Sequence, residues 1–228
     1  MKKLRVTAII VLVAALLLSV GCTSNGNQNS IGKFGKVTNG IYLYKDLAVQ
    51  DSFVEEFDTG KYDLKEYRGF LDEELAEYNK SNAFHPGDEE VRGDHEPEYK
   101  APITVVKCET GDGNLNQQLL YATAEDFLKY NAEELEERQG TTLQTGTLAK
   151  VDTKLLTAAF VGPDGKDLDV QALCVSKNAS EYRYVITDIQ SLVYGDGALI
   201  GYTKNGAYSE ENSCVTVKGG EKVIVIFR

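Results

Sequence analysis

Apolar residues recur at helical spacing early in the chain. In residues 63–78 they lie three or four positions apart, which places them on one face of a helix: Leu64, Tyr67, Leu71, Leu75 and Tyr78. Asp63 precedes this stripe as an N-cap, and Glu66 follows three residues later in the partner position of a capping box. The opposite face is acidic. The pattern predicts an amphipathic, acidic helix.

A second helix of the same kind is predicted over residues 124–138. Thr123 supplies the N-cap, Asp126 occupies the third position after it, and Gly140 supplies the stop. The residues expected to point inward are apolar: Phe127, Leu128 and Leu135. Strand patterns precede both helices, at residues 40–44 and 49–57, and then at 103–108 and 119–123, which we expect to form a hairpin across residues 110–114.

The last ninety residues have a different character. Short β-rich runs alternate with four turn signals, at residues 162–165, 196–197, 205–206 and 219–220. This spacing predicts an antiparallel meander or a small barrel. The final run, residues 223–227, is apolar at every position, so we expect a central strand covered on both faces. The fold class expected for the whole chain is α+β.

The first 22 residues form a pattern of their own. Three basic residues precede an apolar run at residues 6–20, which is followed by Gly21 and Cys22. This arrangement resembles the signal of bacterial lipoproteins, although Ser19 stands where that pattern most often has leucine. The resemblance implies cleavage before Cys22, acylation of that cysteine and an extracytoplasmic protein held at the cell membrane by two acyl chains. An ordinary secretory signal, with Cys22 incidental, is the alternative.

The domain organisation follows from these boundaries. We expect a signal peptide at residues 1–21, a lipidated flexible tether at 22–33, an α+β region at 34–140 and an all-β region at 141–228. The tether is small and polar, with too little apolar surface to fold. We expect the two regions to pack together as one globular unit.

Charge excludes one class of partner. The formal net charge is −11, and removal of three basic residues with the signal peptide makes it −14. Nucleic acid binding needs a clustered positive surface, so we expect no nucleic acid partner. The expected contacts are the membrane, through the lipid on Cys22, and an unknown protein or small-molecule ligand.

Three thiols remain after acylation of Cys22. Cys108 and Cys174 lie in apolar runs and look like buried strand residues, and the spacing of the three, including Cys214, matches no zinc pattern. We favour three free thiols, with a bridge between Cys174 and Cys214 as the alternative that an extracytoplasmic setting permits.

Residues 84–97 form an acidic loop that contains both histidines of the chain. Imidazole and carboxylate groups bind divalent metal ions, and the candidate ligands are His85, Asp88, Asp94 and His95. No framework is visible that would hold them, so a solvated loop without a metal is the competing interpretation. No other cofactor is expected. A second candidate, Asp112-Gly113-Asn114, begins like a calcium loop but lacks its glycine and its glutamate, so we interpret it as a turn.

No catalytic or nucleotide-binding motif occurs in the sequence. The runs at residues 41–46, 55–58, 77–79 and 226–228 are similar to those of uncharacterised lipoproteins of Gram-positive bacteria, a resemblance that implies no activity. We therefore expect a membrane-anchored, noncatalytic module that binds a ligand or a protein. The alternatives are an extracytoplasmic hydrolase with an unrecognised site and a surface protein that responds to a divalent metal through residues 84–97.

Overall fold

Helices and strands are mixed along the chain. The computed structural model describes residues 40–83 and 101–228. Within these residues the helices are α1 (Leu64–Ser81), α2 (Ala124–Tyr130) and α3 (Val170–Cys174), with 3-10 turns at Thr153–Leu155 and Ala179–Glu181. The strands are β1 (Gly40–Leu43), β2 (Val49–Glu56), β3 (Ile103–Gly111), β4 (Asn114–Tyr121), β5 (Leu143–Thr147), β6 (Phe160–Val161), β7 (Asp167–Leu168), β8 (Arg183–Thr187), β9 (Ser191–Gly195), β10 (Leu199–Thr203), β11 (Ala207–Ser209), β12 (Cys214–Val217) and β13 (Val223–Phe227). The expected α+β class is confirmed.

A seven-stranded sheet combines strands from both parts of the chain. Its order is β11-β12-β9-β1-β2-β4-β3. Strands β1 and β9 run parallel, with Gly40 opposite Leu192 and Leu43 opposite Gly195, whereas the other neighbours in this sheet are antiparallel. Three strands from the region expected to be all-β, namely β9, β11 and β12, therefore share a sheet with β1 to β4.

The remaining strands form a six-stranded sheet in the order β5-β8-β13-β10-β6-β7. The expected C-terminal meander is wrong, because β8, β9 and β10 follow one another in sequence but alternate between the two sheets. The expected small barrel is also wrong, because neither sheet closes within the described residues. The reason is the parallel pairing of β9 with β1, which takes β9 and β12 away from the other C-terminal strands.

Strand β13 lies in the centre of the six-stranded sheet, between β8 and β10. All five of its residues are buried. Val223, Val225 and Phe227 belong to the large core between the two sheets, whereas Ile224 and Ile226 belong to a second core on the other face. The prediction of a central strand covered on both faces is confirmed.

Helix α1 packs on the seven-stranded sheet beside β3. Its N-terminus is capped by Asp63, whose side chain accepts a hydrogen bond from the backbone N–H of Glu66 at 2.9 Å. Leu71 and Leu75 are buried. Near its end, Asn79 both donates to the carbonyl of Ile103 and accepts from its N–H, at 2.9 and 2.8 Å. These two bonds fix the helix to the first residue of β3.

Helix α2 begins after Thr123, as predicted, but it is shorter than expected. The N–H of Asp126 donates to the Thr123 hydroxyl at 3.0 Å, and the regular helix ends at Tyr130 instead of Arg138. The side-chain amide of Asn131 is held by the carbonyl of Phe127 and the hydroxyl of Tyr121, at 2.9 and 3.1 Å. Residues 131–139 then continue as consecutive turns, with backbone hydrogen bonds of mixed three- and four-residue spacing.

Strands β3 and β4 form the predicted hairpin, and both are longer than the sequence indicates. The connection is two residues, Asp112 and Gly113, with φ of 53° and 77°. Positive φ at both positions is typical of a type I′ hairpin turn. The interpretation of Asp112-Gly113-Asn114 as a turn, and not as the start of a calcium loop, is therefore confirmed.

Candidate functional site: the Asp51–Arg138 cluster

The residues predicted as ligand or lipid sites lie outside the described part of the chain. This applies to Cys22 and to the four candidate metal ligands: His85, Asp88, Asp94 and His95. In residues 40–83 and 101–228, no three histidine, cysteine, aspartate or glutamate side chains are arranged to hold a metal ion. A candidate site in this part of the chain therefore consists of residues other than the predicted ones.

The three thiols are free. Cys108 is buried in β3, as expected, and Cys214 is buried in β12. Cys174 is not the buried strand residue that its apolar neighbours suggested. It ends the short helix α3 and is partly exposed, because one side of that helix faces solvent. Burial raises the pKa of all three thiols, so none has the character of an activated nucleophile.

A charged residue lies on the core-facing side of strand β2. Strand alternation puts Asp51 on the same face as Val49, which belongs to the large core. Asp51 is 5% exposed. Loss of hydration raises the pKa of its carboxyl group, and the charge of Arg138 opposes this effect. A buried carboxylate needs such a partner to remain ionised.

Arg138 approaches Asp51 from the consecutive turns that follow α2. Its Nη1 atom donates to Asp51 Oδ2 at 2.9 Å, and its guanidinium lies 5.7 Å from the ring centroid of Phe127. The carbonyl of Arg138 accepts a hydrogen bond from the N–H of Gln190 at 2.9 Å. An ion pair, a ring contact and a backbone hydrogen bond therefore hold this arginine in place.

Two atoms of this ion pair lack hydrogen-bond partners. Asp51 Oδ1 is a buried acceptor without a donor, and Arg138 Nη2 is a buried donor without an acceptor. Most buried polar side-chain atoms in proteins are hydrogen-bonded, so each such atom requires an explanation. Here an unfilled acceptor and an unfilled donor belong to the same pair of side chains.

Two further carboxyl groups accompany the ion pair. Glu55 lies four residues after Asp51 on the same strand and hence on the same face. Partial burial raises its pKa. Glu134 lies at the solvent edge, where loss of hydration and then the charge of Asp51 raise its pKa. Neither glutamate forms an ion pair within the described residues.

Tyrosine hydroxyls lie close to these carboxyl groups. Tyr121, which is completely buried, bonds with Asn131, and Tyr67 donates to Gln117 Oε1 at 2.7 Å. Burial, and then the charge of Glu55, raise the pKa of Tyr67, while burial and the charge of Asp51 raise that of Tyr121. Both hydroxyls therefore stay protonated. We call the following residues the Asp51–Arg138 cluster: Asp51, Glu55, Tyr67, Tyr121, Glu134 and Arg138.

A second polar group lies on the opposite face of the same sheet. Tyr42 donates to Asp196 Oδ1 at 2.7 Å, and Arg183 donates to the Asp196 carbonyl at 2.8 Å. Tyr44 donates to Gln50 Oε1 at 2.5 Å, and both of these side chains are buried. This network joins the end of β9 to β1 and to β8 of the other sheet, which explains its buried polarity as a structural feature.

A surface depression of about 490 Å³ lies apart from both polar groups. It is formed by the turn residues around 204–207 and 218–223, and its charged side chains are Lys204, Lys218 and Glu221. Lys204 pairs with Asp167 at 2.7 Å. The depression contains no residue of the Asp51–Arg138 cluster.

The Asp51–Arg138 cluster is not among the sites predicted from the sequence. One signal was present, since Asp51 is a charged residue at an inward position of an alternating strand. The position of its partner could not be predicted, because the helix expected over residues 124–138 places Arg138 in a regular helix, whereas α2 ends at Tyr130. The two residues are 87 positions apart, and the structure alone brings them together.

No family model matches the chain, and neither a curated protein nor a solved structure matches it. Among the described residues, no helix is both long enough and apolar enough to cross a membrane.

Proposed function

We propose that this chain is an extracytoplasmic lipoprotein, anchored to the cell membrane through Cys22, whose folded part is a noncatalytic module that binds a ligand or a protein. The sequence of residues 1–22 supports the anchor, since basic residues, an apolar run and a small residue precede the cysteine. Two acyl chains hold a protein stably at a bilayer, where one chain gives only marginal binding.

The observation that supports binding is the incomplete hydrogen bonding of the Asp51–Arg138 pair. The unfilled acceptor on Asp51 and the unfilled donor on Arg138 are complementary to a polar ligand group. No activated thiol accompanies them, and the tyrosine hydroxyls stay protonated. The cluster therefore offers recognition groups without an activated thiol or phenolate.

The anchor is tested by metabolic labelling with palmitate. Cys22→Ala should abolish the label and release the protein from the membrane fraction. Cys174→Ala removes another accessible thiol and serves as the matched control, since it should keep both the label and the membrane association. Unchanged labelling of the Cys22 variant would contradict the anchor.

The binding function is tested with a chemically broad ligand panel and the melting temperature as readout. A compound that raises the melting temperature of the wild type, but not that of Asp51→Asn, supports binding at the cluster. The same compounds are checked for conversion to products after prolonged incubation. Turnover that is lost in Asp51→Asn would show that the module is an enzyme.

An extracytoplasmic hydrolase is the second candidate, because three carboxyl groups of the cluster have raised pKa values. Perturbed carboxyl groups are typical of sites for general acid or base catalysis. Hydrolysis of glycoside and ester substrates, compared between the wild type and Glu134→Gln, tests this candidate. Loss of turnover in the variant, without a fall in its melting temperature, would favour the hydrolase.

A divalent-metal response through residues 84–97 remains a third proposal. A melting shift with zinc or calcium that disappears in the variant carrying His85→Ala and His95→Ala would support it. An equal shift in both proteins would place the metal elsewhere.

A further inference from the structure

Two segments of the chain form an outer layer on the six-stranded sheet. Residues 148–159 and 170–180 lie on the face of this sheet that is turned away from the seven-stranded sheet, because Leu156 and Val170 belong to the second core that β13 shares. The two segments adjoin, since the side-chain amide of Gln171 donates to the Leu156 carbonyl at 3.4 Å. We call residues 148–159 and 170–180 the outer layer.

The outer layer exposes apolar side chains. Val175 is 86% exposed, more than any other large hydrophobic side chain of the described residues, and Leu155 is 42% exposed. Val175 follows Gln171 by four residues and so lies on the side of α3 that adjoins Leu156. Three alanines of the layer are exposed as well: Ala158, Ala159 and Ala172. Apolar side chains that are exposed as a group are typical of contact surfaces, whereas single ones are common on any protein.

Lysines accompany these apolar side chains. Lys150 and Lys154 lie in the first segment and Lys177 in the second, and all three are exposed. None of them forms an ion pair with a described residue. The one acidic residue of the layer, Asp152, caps the 3-10 turn that follows it and accepts from the N–H of Lys154 at 3.0 Å. The outer layer therefore has a net charge of +2, in a chain whose formal net charge is −11.

This combination of groups is complementary to an anionic bilayer. Alkyl side chains enter the membrane interface, while the long lysine side chains keep their ammonium groups at the level of the lipid phosphates. Helix α1 has the opposite character, since Glu66, Glu73 and Glu77 are exposed on its outward face and would be repelled by the same surface. The charge distribution therefore favours one side of the folded part for contact with a membrane.

The anchor proposed at Cys22 would keep the outer layer within reach of a bilayer. Eighteen residue steps separate Cys22 from Gly40, the first residue that the structure describes. At about 3.3–3.6 Å per residue this connection spans at most about 60 Å. A folded chain of this size has a radius of gyration of about 17 Å, so the connection is long enough for any face to meet the membrane. The surface groups, and not the anchor, then select the face.

We propose that the outer layer docks on the anionic bilayer to which the chain is anchored. Val175 and Leu155 lie in the membrane interface, and the three lysines of the layer contact lipid phosphates. This inference rests on the anchor proposed at Cys22 and adds the orientation of the folded part at the membrane. Attachment does not depend on the docking, because the lipid on Cys22 holds the chain in either case.

A tryptophan reporter tests the contact, since the chain contains no tryptophan of its own. Val175→Trp is prepared in the lipidated chain and reconstituted into vesicles of phosphatidylcholine, either alone or with an equal part of phosphatidylglycerol. We expect a blue-shifted emission and quenching by brominated acyl chains in the anionic vesicles, and clearly weaker effects in the neutral ones. Phe70→Trp is the matched control, because Phe70 is 62% exposed on acidic helix α1 and should show neither effect.

Charge variants in the Val175→Trp chain test the contribution of the lysines. The test variant changes the three lysines of the outer layer: Lys150→Gln, Lys154→Gln and Lys177→Gln. Its ratio of docked to undocked chains should fall about a hundredfold, because each lysine near an anionic surface contributes about fivefold. The control variant removes the same number of charges at exposed positions outside the layer: Lys65→Gln, Lys80→Gln and Lys218→Gln. It should keep the quenching.

Co-flotation with the vesicles reports the anchor separately from the docking. Chains that co-float, but show equal quenching in Val175→Trp and Phe70→Trp, would overturn the docking and leave the anchor intact. Equal quenching in neutral and anionic vesicles would also overturn the inference, as would an equal loss of quenching in the two lysine variants. Chains that fail to co-float would overturn the anchor and the docking together.

Discussion

The contribution of the Asp51–Arg138 ion pair to stability can be measured by removing its positive partner. The two side chains are 6% and 18% exposed, and their closest atoms are 2.9 Å apart. At an effective dielectric constant of about 20 the attraction is about 6 kcal/mol. Desolvation of two buried ions costs several kcal/mol each, so the net contribution of the pair is small. Removal of one partner nevertheless lowers the stability of the fold strongly, since the other charge stays buried.

We expect Arg138→Met to lower the free energy of unfolding by about 3–5 kcal/mol at pH 7, because Asp51 is left buried without its counter-ion. Methionine retains part of the aliphatic stem, so most of this loss is electrostatic. A smaller part reflects the contact of the guanidinium with Phe127, which is worth about 0.5–1 kcal/mol. Urea unfolding followed by circular dichroism gives the free energies.

The sign of the pH dependence follows from Asp51. Burial already holds its pKa above 3.8, and loss of Arg138 removes the effect that opposes burial. Protonation relieves the buried charge, so the destabilisation is complete above the raised pKa and decreases as the pH falls through it. We therefore expect Arg138→Met to cost clearly less at pH 4 than at pH 7.

The double variant provides the control. Asp51→Asn with Arg138→Met leaves a neutral amide in place of the buried charge, so it should lose less stability than Arg138→Met alone. The reasoning would be refuted if Arg138→Met cost less than about 1 kcal/mol at pH 7, or if the double variant lost the sum of the two single losses.

Three further predictions concern a turn glycine, a carboxyl group of the cluster and the last strand. Gly197→Ala should lower the free energy of unfolding by more than about 2 kcal/mol, because its φ is 87° and an added Cβ atom would lie 1.9 Å from the carbonyl oxygen of Arg228. Gly165→Ala is the control in the same urea assay, with φ of 76° and open space, and should lower it by about 1–2 kcal/mol. Equal losses in the two variants would contradict the clash. Glu134→Gln should raise the melting temperature at pH 7. The raised pKa of Glu134 means that its ionisation destabilises the wild type as the pH rises above 4.5, so the gain in the variant should vanish below that pH. A gain that persists at pH 3.5 would show another cause. Deletion of residues 221–228 should prevent folding because it removes the central strand β13, and a soluble product that melts cooperatively would disprove this.

The local elements of the fold were largely predictable from the sequence. The cap at Asp63, the hairpin turn at Asp112-Gly113 and the uniformly apolar strand β13 depend on neighbouring residues or on simple burial. The end of α2 was not predictable, because Asn131 is held by Tyr121, which belongs to another element. Tertiary hydrogen bonds of this kind override local helix propensity.

The Asp51–Arg138 cluster was even less predictable, because it is formed by residues far apart in the sequence. Nothing in the sequence around Arg138 indicates a buried counter-ion, and nothing around Asp51 indicates which cation would reach it. The pairing arises because β2 presents Asp51 toward the core and the consecutive turns after α2 bring Arg138 within hydrogen-bonding distance of it. A charged residue at an inward strand position shows that a partner is needed but does not identify it.

The sequence by itself determined the capped helix starts, the turns, the buried last strand and the expectation of a lipid anchor at Cys22, since each depends on residues close together in the chain. Only the tertiary structure decided that β9 pairs in parallel with β1, that the C-terminal strands divide between two open sheets and that Asp51 meets Arg138. These features are set by which apolar faces can be buried together. That choice compares contacts between residues far apart in sequence, and no local pattern records it.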